Sequence, residues 1–459
     1  MESPPSPYDN KMTMTEAWLQ SLARRLVCRS LDRFRQFQVR LRFRHLGPDE
    51  PDVLVGQPGD EEPVVLIVDD FRFYARFLLS MELGMAEALM LGEVRCSDLV
   101  RLSCRYKTNI DAFGSNGFTT HMIRLLATLC LDKGKTLDRL RQSLISDPDE
   151  PNEVFTNILS NDMNFSSALW SGESDESLES AQRRKVQTII DKASISSSHH
   201  VLDIGCGWGN LAIEAARRTG CRVTGVTLST QEKLFAEARI RAAGLHDKIR
   251  IVVCDYRRVP RVKGGYDRVI SVEMLQYVAR HSIRAFFGEV SDLLKPQTGV
   301  VVTQAITTHK NSSSDTYAES FLARYIFPRG HLHTIHELLT AMNDGSDGQL
   351  EVETVESIGP HYVRTLQHWQ NNLETNWLST REALLKTMPD ADEDLIEAYR
   401  RRWECFLSYF QAGFRTRWLG NYILSAGRPF SSGNRWRVAS TSEPDRAIDT
   451  FLTRDPAAV

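Results

Sequence analysis

An α/β fold is predicted by three features of this 459-residue chain. Short apolar strands alternate with helices from Val201 onward, one of those strands ends in an acid and turns through alternating glycines into a helix, and apolar residues at helical spacing dominate the C-terminal third. Strands that alternate with helices are joined by crossovers and lie parallel. The expected architecture is therefore a Rossmann-like, doubly wound, mostly parallel sheet, with a smaller N-terminal α+β domain and helical C-terminal additions.

The elements follow in order. Residues 1–14 read as a disordered tail, polar and proline-rich through Asn10. A first domain spans 15–132, with a buried-strand pattern at Val64–Val68 and a helical stretch from Phe71 to Leu91. Between Arg24 and Arg44 it carries eight arginines against the single acid Asp32, and Val39, Leu41 and Phe43 alternate there with Arg40, Arg42 and Arg44. That is strand periodicity with one wet, cationic face. A solvated face and contact with anionic lipid headgroups both account for it. Residues 133–152 are polar and contain the breaker Asp147-Pro148-Asp149-Glu150-Pro151, so they read as a linker. In the second domain, 153–435, strands are expected at Val201–Ile204, Arg222–Val226, Ile249–Val253, Arg268–Ser271 and Val300–Thr303. Helices are expected at Leu211–Arg218, Gln231–Ala243, Ile335–Ala341, Leu366–Leu378 and Leu395–Ala412, and residues 436–459 form a second tail.

Composition narrows the function classes. A net charge of −3 gives no footprint for nucleic acid as a general partner. The eight cysteines, from Cys28 to Cys405, include no close Cys-x-x-Cys pair, so neither a zinc site nor a disulfide framework is indicated, and no metal is expected. They read as small core residues in a reducing compartment. No signal-peptide core and no run of about 18 apolar residues is present, which makes a cytoplasmic protein, at most peripheral to a membrane, the expectation.

The run Val201-Leu-Asp-Ile-Gly-Cys-Gly-Trp-Gly209 carries the chemistry. Glycines permit the tight turn and let a ligand approach the main chain. The spacing is not that of the dinucleotide fingerprint, which would seat a pyrophosphate on the helix N-terminus. An acid two residues before the first glycine suits a ligand with a positively charged amino-acid moiety. Asp203, Gly205, Gly207 and Gly209 are thus expected around S-adenosylmethionine, with Asp203 near its methionine end. Thr227 and Ser229, with Glu232 close by, follow the second strand where ribose hydroxyls lie in this architecture. Asp255 and Tyr256 follow the third, positioned for the adenine. The fourth strand ends in Ser271-Val272-Glu273-Met274 at the carboxyl edge, where open α/β sheets bind ligands.

These residues resemble the cyclopropane fatty acid synthase family of methyltransferases. The resemblance rests on Val201–Gly209, Val223–Ser229, Cys254–Arg257, Tyr325–Pro328 and His361–Leu366 with Trp369. Upstream, Gly84–Leu99, with Gly92-Glu93 and Asp98-Leu99, is similar to the family's N-terminal domain. The resemblance implies the class I methyltransferase fold, S-adenosylmethionine as cofactor, and an alkene in an unsaturated acyl chain that attacks the sulfonium methyl. It also implies a bicarbonate held by a Cys, a Glu, a His and a Tyr. Only the Tyr is kept, as Tyr362. The other positions read Ser167, Gln276 and Gln304, and the family's ribose-loop Gln reads Glu232. Neither an amide nor a hydroxyl accepts a proton near neutral pH, so the cofactor half matches while the ring-closing half departs. Glu273 lies three residues before Gln276 and shares its face if that segment is helical. It, Tyr277, Tyr362 and His361 are the candidates to replace the base. Three functions stay open: methyl or methylene transfer to an alkene carbon of a lipid or lipid-like molecule, O-, N- or C-methylation of a small secondary metabolite, and a silent member that binds cofactor or lipid. A homodimer is compatible with all three.

Overall fold

The computed structural model describes residues 14–109, 135–146, 151–309, 320–327 and 330–429. Both expected tails lie largely or wholly outside these residues, as do Asp147–Glu150, Cys130 and Pro328.

Seven strands form the larger sheet: β5 (His200–Ile204), β6 (Arg222–Thr227), β7 (Ile249–Val253), β8 (Arg268–Val272), β9 (Val300–Thr308), β10 (Glu351–Ser357) and β11 (Leu419–Gly427). Their order is β10-β11-β9-β8-β5-β6-β7. From β9 to β7 the neighbours run parallel, while β11 inserts antiparallel between β9 and β10. The sheet is thus the expected doubly wound, mostly parallel one. Parallel strands covered on both faces read as continuous apolar runs, and β9 is buried along its whole length. One apolar cluster under the sheet gathers Val186, Ile190, Val201, Ala212 and Ile251, and a second on the other face gathers Leu202, Phe286, Phe287 and Val301. Order reverses between β5 and β8, the first crossing from one side of the sheet to the other. That is the topological switch point, where ligand crevices form.

A smaller four-stranded sheet lies N-terminal to this one, in the order β2-β1-β3-β4, from β1 (Val39–Phe43), β2 (Val53–Val55), β3 (Val64–Val68) and β4 (Val94–Cys96). In β1 the apolar residues are buried while Arg40 and Arg42 are exposed, as the alternation predicts. Acids of the same region meet several of these cations: Arg42 forks onto Asp52 at 3.0 Å and Arg24 reaches Glu50 at 2.5 Å. Such pairs reduce the charge the face offers to a lipid surface.

Three boundaries differ from expectation. The stretch expected as one helix from Phe71 is two, Arg72–Ser80 and Glu82–Met90, broken at Met81 with φ +44°. The expected linker contains the helix Lys135–Ser146, which packs against the helix Glu393–Arg415. Leu366–Leu378 belongs to two helices, Gly359–Thr375 and Trp377–Thr387, divided at Asn376.

The helix Glu393–Arg415 joins the two parts of the chain. Its turns set Cys405 and Tyr409 against the N-terminal side and Phe406 and Phe410 against the cavity beside the large sheet. The joint is also polar. Tyr325 Oη donates across it to buried Glu87 at 2.8 Å, and Arg402 donates to the Tyr325 carbonyl at 3.2 Å; behind Glu87, within the N-terminal part, Arg76 pairs with buried Glu93 at 2.8 Å. Family-like motifs far apart in sequence thus meet at one interface.

Candidate active site

A cavity of about 800 Å³ opens along the carboxyl ends of β5, β6, β7 and β8. Its polar end is built by the glycine turn after β5. Gly205, Gly207 and Gly209 have φ of +80°, +51° and +79°, a region L side chains avoid. Space separates their roles. A Cβ on Gly209 would come within 3.1 Å of Ala236 Cβ, so that glycine lets two helices approach, whereas a Cβ on Gly207 would meet nothing within 4 Å and would project into open space beside the cavity. Gly207 therefore leaves room for a ligand, and Gly209 does not.

Asp203 closes β5 under this turn, 2% exposed, with Oδ2 buried and lacking a hydrogen-bond partner. Burial raises its pKa to about 7, with Lys185 pulling the other way. Asp203 lines the cavity, and a buried carboxylate oxygen without a partner is costly unless a ligand completes it; the ammonium of an amino-acid moiety is a fitting donor. At the end of β6, Thr227 Oγ1 donates to Glu232, and Ser229 Oγ accepts from Glu232 N at 3.0 Å as the cap of the helix Thr230–Ala242. The two hydroxyls expected for ribose thus hold the turn, and the Glu232 carboxylate lines the cavity. After β7, Arg257 forks onto Asp255 at 2.7 Å and keeps its pKa low, while the Tyr256 ring packs edge-on against Phe286 at 5.1 Å. Both residues line the cavity.

Glu273 forms the centre of the other end. It follows β8 at φ +48°, a left-handed conformation that costs a residue with a Cβ roughly 1–2 kcal/mol. Contacts hold it there. Its N–H donates to the Gln304 carbonyl at 2.7 Å, and its own carbonyl accepts from Gln276 Nε2 at 2.5 Å. Oε1 of its buried carboxylate accepts from Ser167 N (3.0 Å), Gln304 Nε2 (2.7 Å) and Asn421 Nδ2 (2.5 Å), and Oε2 accepts from Tyr362 Oη at 2.7 Å. Burial pushes the Glu273 pKa up; the Ser167 N–H, Tyr362, Asn421 and Lys185 oppose that shift. Burial and the adjacent carboxylate push the Tyr362 phenol well above its ordinary range, so it stays a neutral donor.

The structure therefore assembles most of the predicted catalytic set, by a different route. Gln276 and Glu273 share no helical face. Leu275–Tyr277 is a single 3₁₀ turn, and Gln276 folds back onto main chain. Ser167 contributes its N–H while its hydroxyl donates to the Ala168 carbonyl. Tyr277 is half exposed at the cavity rim. His361 is not among the cavity-lining residues; its Nδ1 accepts from Trp170 N at 3.0 Å.

Two residues escaped the sequence reading. Asn421 comes from β11, which was not foreseen. Lys185 is fully buried on the helix Leu178–Lys192, donates to Ser166 Oγ at 2.6 Å, and has its pKa lowered to about 8 by burial, with Glu273, Asp162 and Asp203 raising it. It shares its helix's buried face with Ala181, Val186 and Ile189. A lysine within an apolar stripe was the available signal.

No metal was expected. Among the described residues His331, His333 and Glu337 bring potential ligand atoms within 4.8 Å of one another. The Glu337 carboxylate is engaged there, accepting from Thr334 N at 2.9 Å and pairing with Arg280 at 2.8 Å.

A doubly wound sheet, a glycine turn under a buried acid and acidic residues after the next two strands define a class I methyltransferase that uses S-adenosylmethionine. The chain belongs to the mycolic acid cyclopropane synthetase family, whose model matches residues 138–422. Tuberculostearic acid methyltransferase UfaA1 of Mycobacterium tuberculosis is 30% identical over 359 residues, 76% of this chain and 80% of that protein. Cyclopropane-fatty-acyl-phospholipid synthase of Escherichia coli is 27% identical over 378 residues, 81% of this chain and 90% of that one. The solved cyclopropane synthase MmaA2 of M. tuberculosis shares the fold, with a TM-score of 0.54 at 21% identity over 63% of this chain and 98% of its own. No helix among the described residues is long and apolar enough to cross a membrane.

Proposed function

We propose that this methyltransferase acts on an alkene carbon of an unsaturated acyl chain carried by a lipid. The observation that carries this reading is the two-ended cavity. Asp203, Glu232, Asp255 and Tyr256 line one end, and Ile306, Phe327, Phe406 and Phe410 surround the region beyond Glu273 and Tyr362. An apolar, aromatic wall accepts a hydrocarbon at little desolvation cost and offers few partners to a polar nucleophile. The lipid substrates in the names of UfaA1 and the E. coli synthase support the same class.

Asp203 and Glu232 hold the amino-acid and ribose parts of S-adenosylmethionine in this reading, Gly205 and Gly207 give its approach, and Asp255 with Tyr256 holds the adenine. When bound, the cofactor supplies an electrophilic methyl group. The chain positions the alkene against it by the aromatic wall and excludes water, and proximity supplies much of the rate.

The test is mass spectrometry of lipids after incubation with S-adenosylmethionine bearing a trideuterated methyl group and vesicles of unsaturated phospholipid. Label is expected in the acyl chain. Two retained deuteriums mean that the proton left the transferred methyl, as in a cyclopropane or methylene product. Three mean that it left a chain carbon. Label confined to a headgroup nitrogen or oxygen, or no labelled acyl chain, rejects the proposal.

A further inference from the structure

We propose that Glu273 is this enzyme's built-in base, and that its carboxylate fills a four-donor anion seat which a small free carboxylate will enter when the side chain is removed. The inference rests on the alkene chemistry proposed above.

Four hydrogen bonds converge on the carboxylate from four separate segments: Ser167 in the stretch before the helix Leu178–Lys192, Gln304 on β9, Tyr362 on the helix Gly359–Thr375, and Asn421 on β11. Such convergence of donors on one point is how a protein binds a small anion. Here the anion is tethered to the chain, at a residue whose backbone is strained to deliver it.

The two oxygens differ. Oε1 is saturated by three N–H donors, whereas Oε2 takes only the Tyr362 hydroxyl and keeps lone-pair capacity for a proton. Alternatives are few among the described residues. The acids lining the cavity are Asp203, Glu232, Asp255 and Glu273, the first three lie at the polar end, and no histidine lines it. Gln276 and Gln304 are amides and hold the carboxylate or its main chain without accepting a proton themselves.

The step balances as follows. The alkene π pair forms the bond to the donated methyl, the C–S pair remains on sulfur, and the neighbouring chain carbon is left cationic. Glu273 Oε2 then takes a proton by one of two routes. From a carbon next to the cation, the released C–H pair closes a double bond; from the transferred methyl, one carbon further off, it closes a three-membered ring. The carboxylic acid so formed returns its proton to solvent. Burial that raises the basicity of Glu273 serves this role.

Three measurements test the proposal. Glu273→Gln should lower turnover on unsaturated phospholipid vesicles by about 100-fold or more, the range of general-base contributions, with S-adenosylmethionine affinity kept. In Glu273→Ala, formate or bicarbonate should restore at least tenfold of the lost rate while chloride at the same ionic strength does not. Without cofactor or lipid, formate should also raise the melting temperature of Glu273→Ala and leave that of wild type unchanged. Glu273→Gln within about threefold of wild type overturns the base. A folded Glu273→Ala indifferent to both anions in melting and rate overturns the seat. Wild type with no activity on the vesicles rejects the substrate reading instead, and the melting experiment still decides the seat.

Discussion

Asp203 and Glu273 stand at the ends of adjacent parallel strands, β5 and β8, and both carboxylates are buried in one cavity. Their surroundings are opposite. Asp203 keeps a buried oxygen with no hydrogen-bond partner, while Glu273 collects four donors. A buried carboxylate lacking partners awaits a cation from outside, and one fully supplied by the protein is ready before any ligand arrives. Lys185 lies electrostatically between the two, its charge acting on both. In the proposed reading the polar end is completed by cofactor and the reaction end by the chain.

The sharpest break of this contrast is a crossed pair of substitutions. Asp203→Asn should weaken S-adenosylmethionine binding by about 10- to 100-fold, the equivalent of a charge-assisted hydrogen bond of roughly 1.5–3 kcal/mol. Glu273→Gln should leave that affinity within about threefold. Isothermal titration of both variants checks it, and equal losses of affinity would show that the two acids serve one ligand.

Next in size is Tyr362→Phe. The phenol donates to the ionised form of Glu273, so its loss raises the Glu273 pKa further. The base works only when deprotonated, and activity falls as pH drops through that pKa. The acid limb of kcat/KM should therefore move up by about one pH unit, with the rate recovering toward wild type at higher pH. A limb that stays in place separates Tyr362 from Glu273.

The smallest effect is at Asp203 itself. Its pKa in the ligand-free protein is raised from 3.8 to about 7. A cationic ligand ionises it, so binding near pH 6.5 should release about half a proton or more, falling to none by about pH 9. Titration in buffers of different ionisation enthalpy reads this directly. The sign for stability agrees: a raised carboxyl pKa gives stability that is complete below the unfolded value and lost as pH rises through the folded one. Asp203→Asn should flatten that loss in the ligand-free protein, worth on the order of 4 kcal/mol at most.

Legibility in the sequence followed locality. Asp203, Gly205, Gly207 and Gly209 sit within one turn and announced themselves together. Ser229 is expected near the ribose, and Ser229-x-x-Glu232 also has the spacing of a helix cap; the structure shows the cap and keeps Ser229 on the cavity wall. Glu273 and Gln276 share a face only if their segment is helical, and Glu273 lies before the short turn Leu275–Tyr277 with φ +48°. Asn421 gave no signal, because a polar residue in an unrecognised strand looks like any other.

The sequence by itself determined the parallel sheet, the glycine turn and the acids after β6 and β7, because hydrophobic period and turn chemistry are properties of neighbouring residues. Only the tertiary structure decided what Glu273 is. Its donors lie 31, 89, 106 and 148 residues away, and such distant groups converge only through sheet order and helix packing. Burial, which sets the basicity of that carboxylate, is likewise a property of the folded whole.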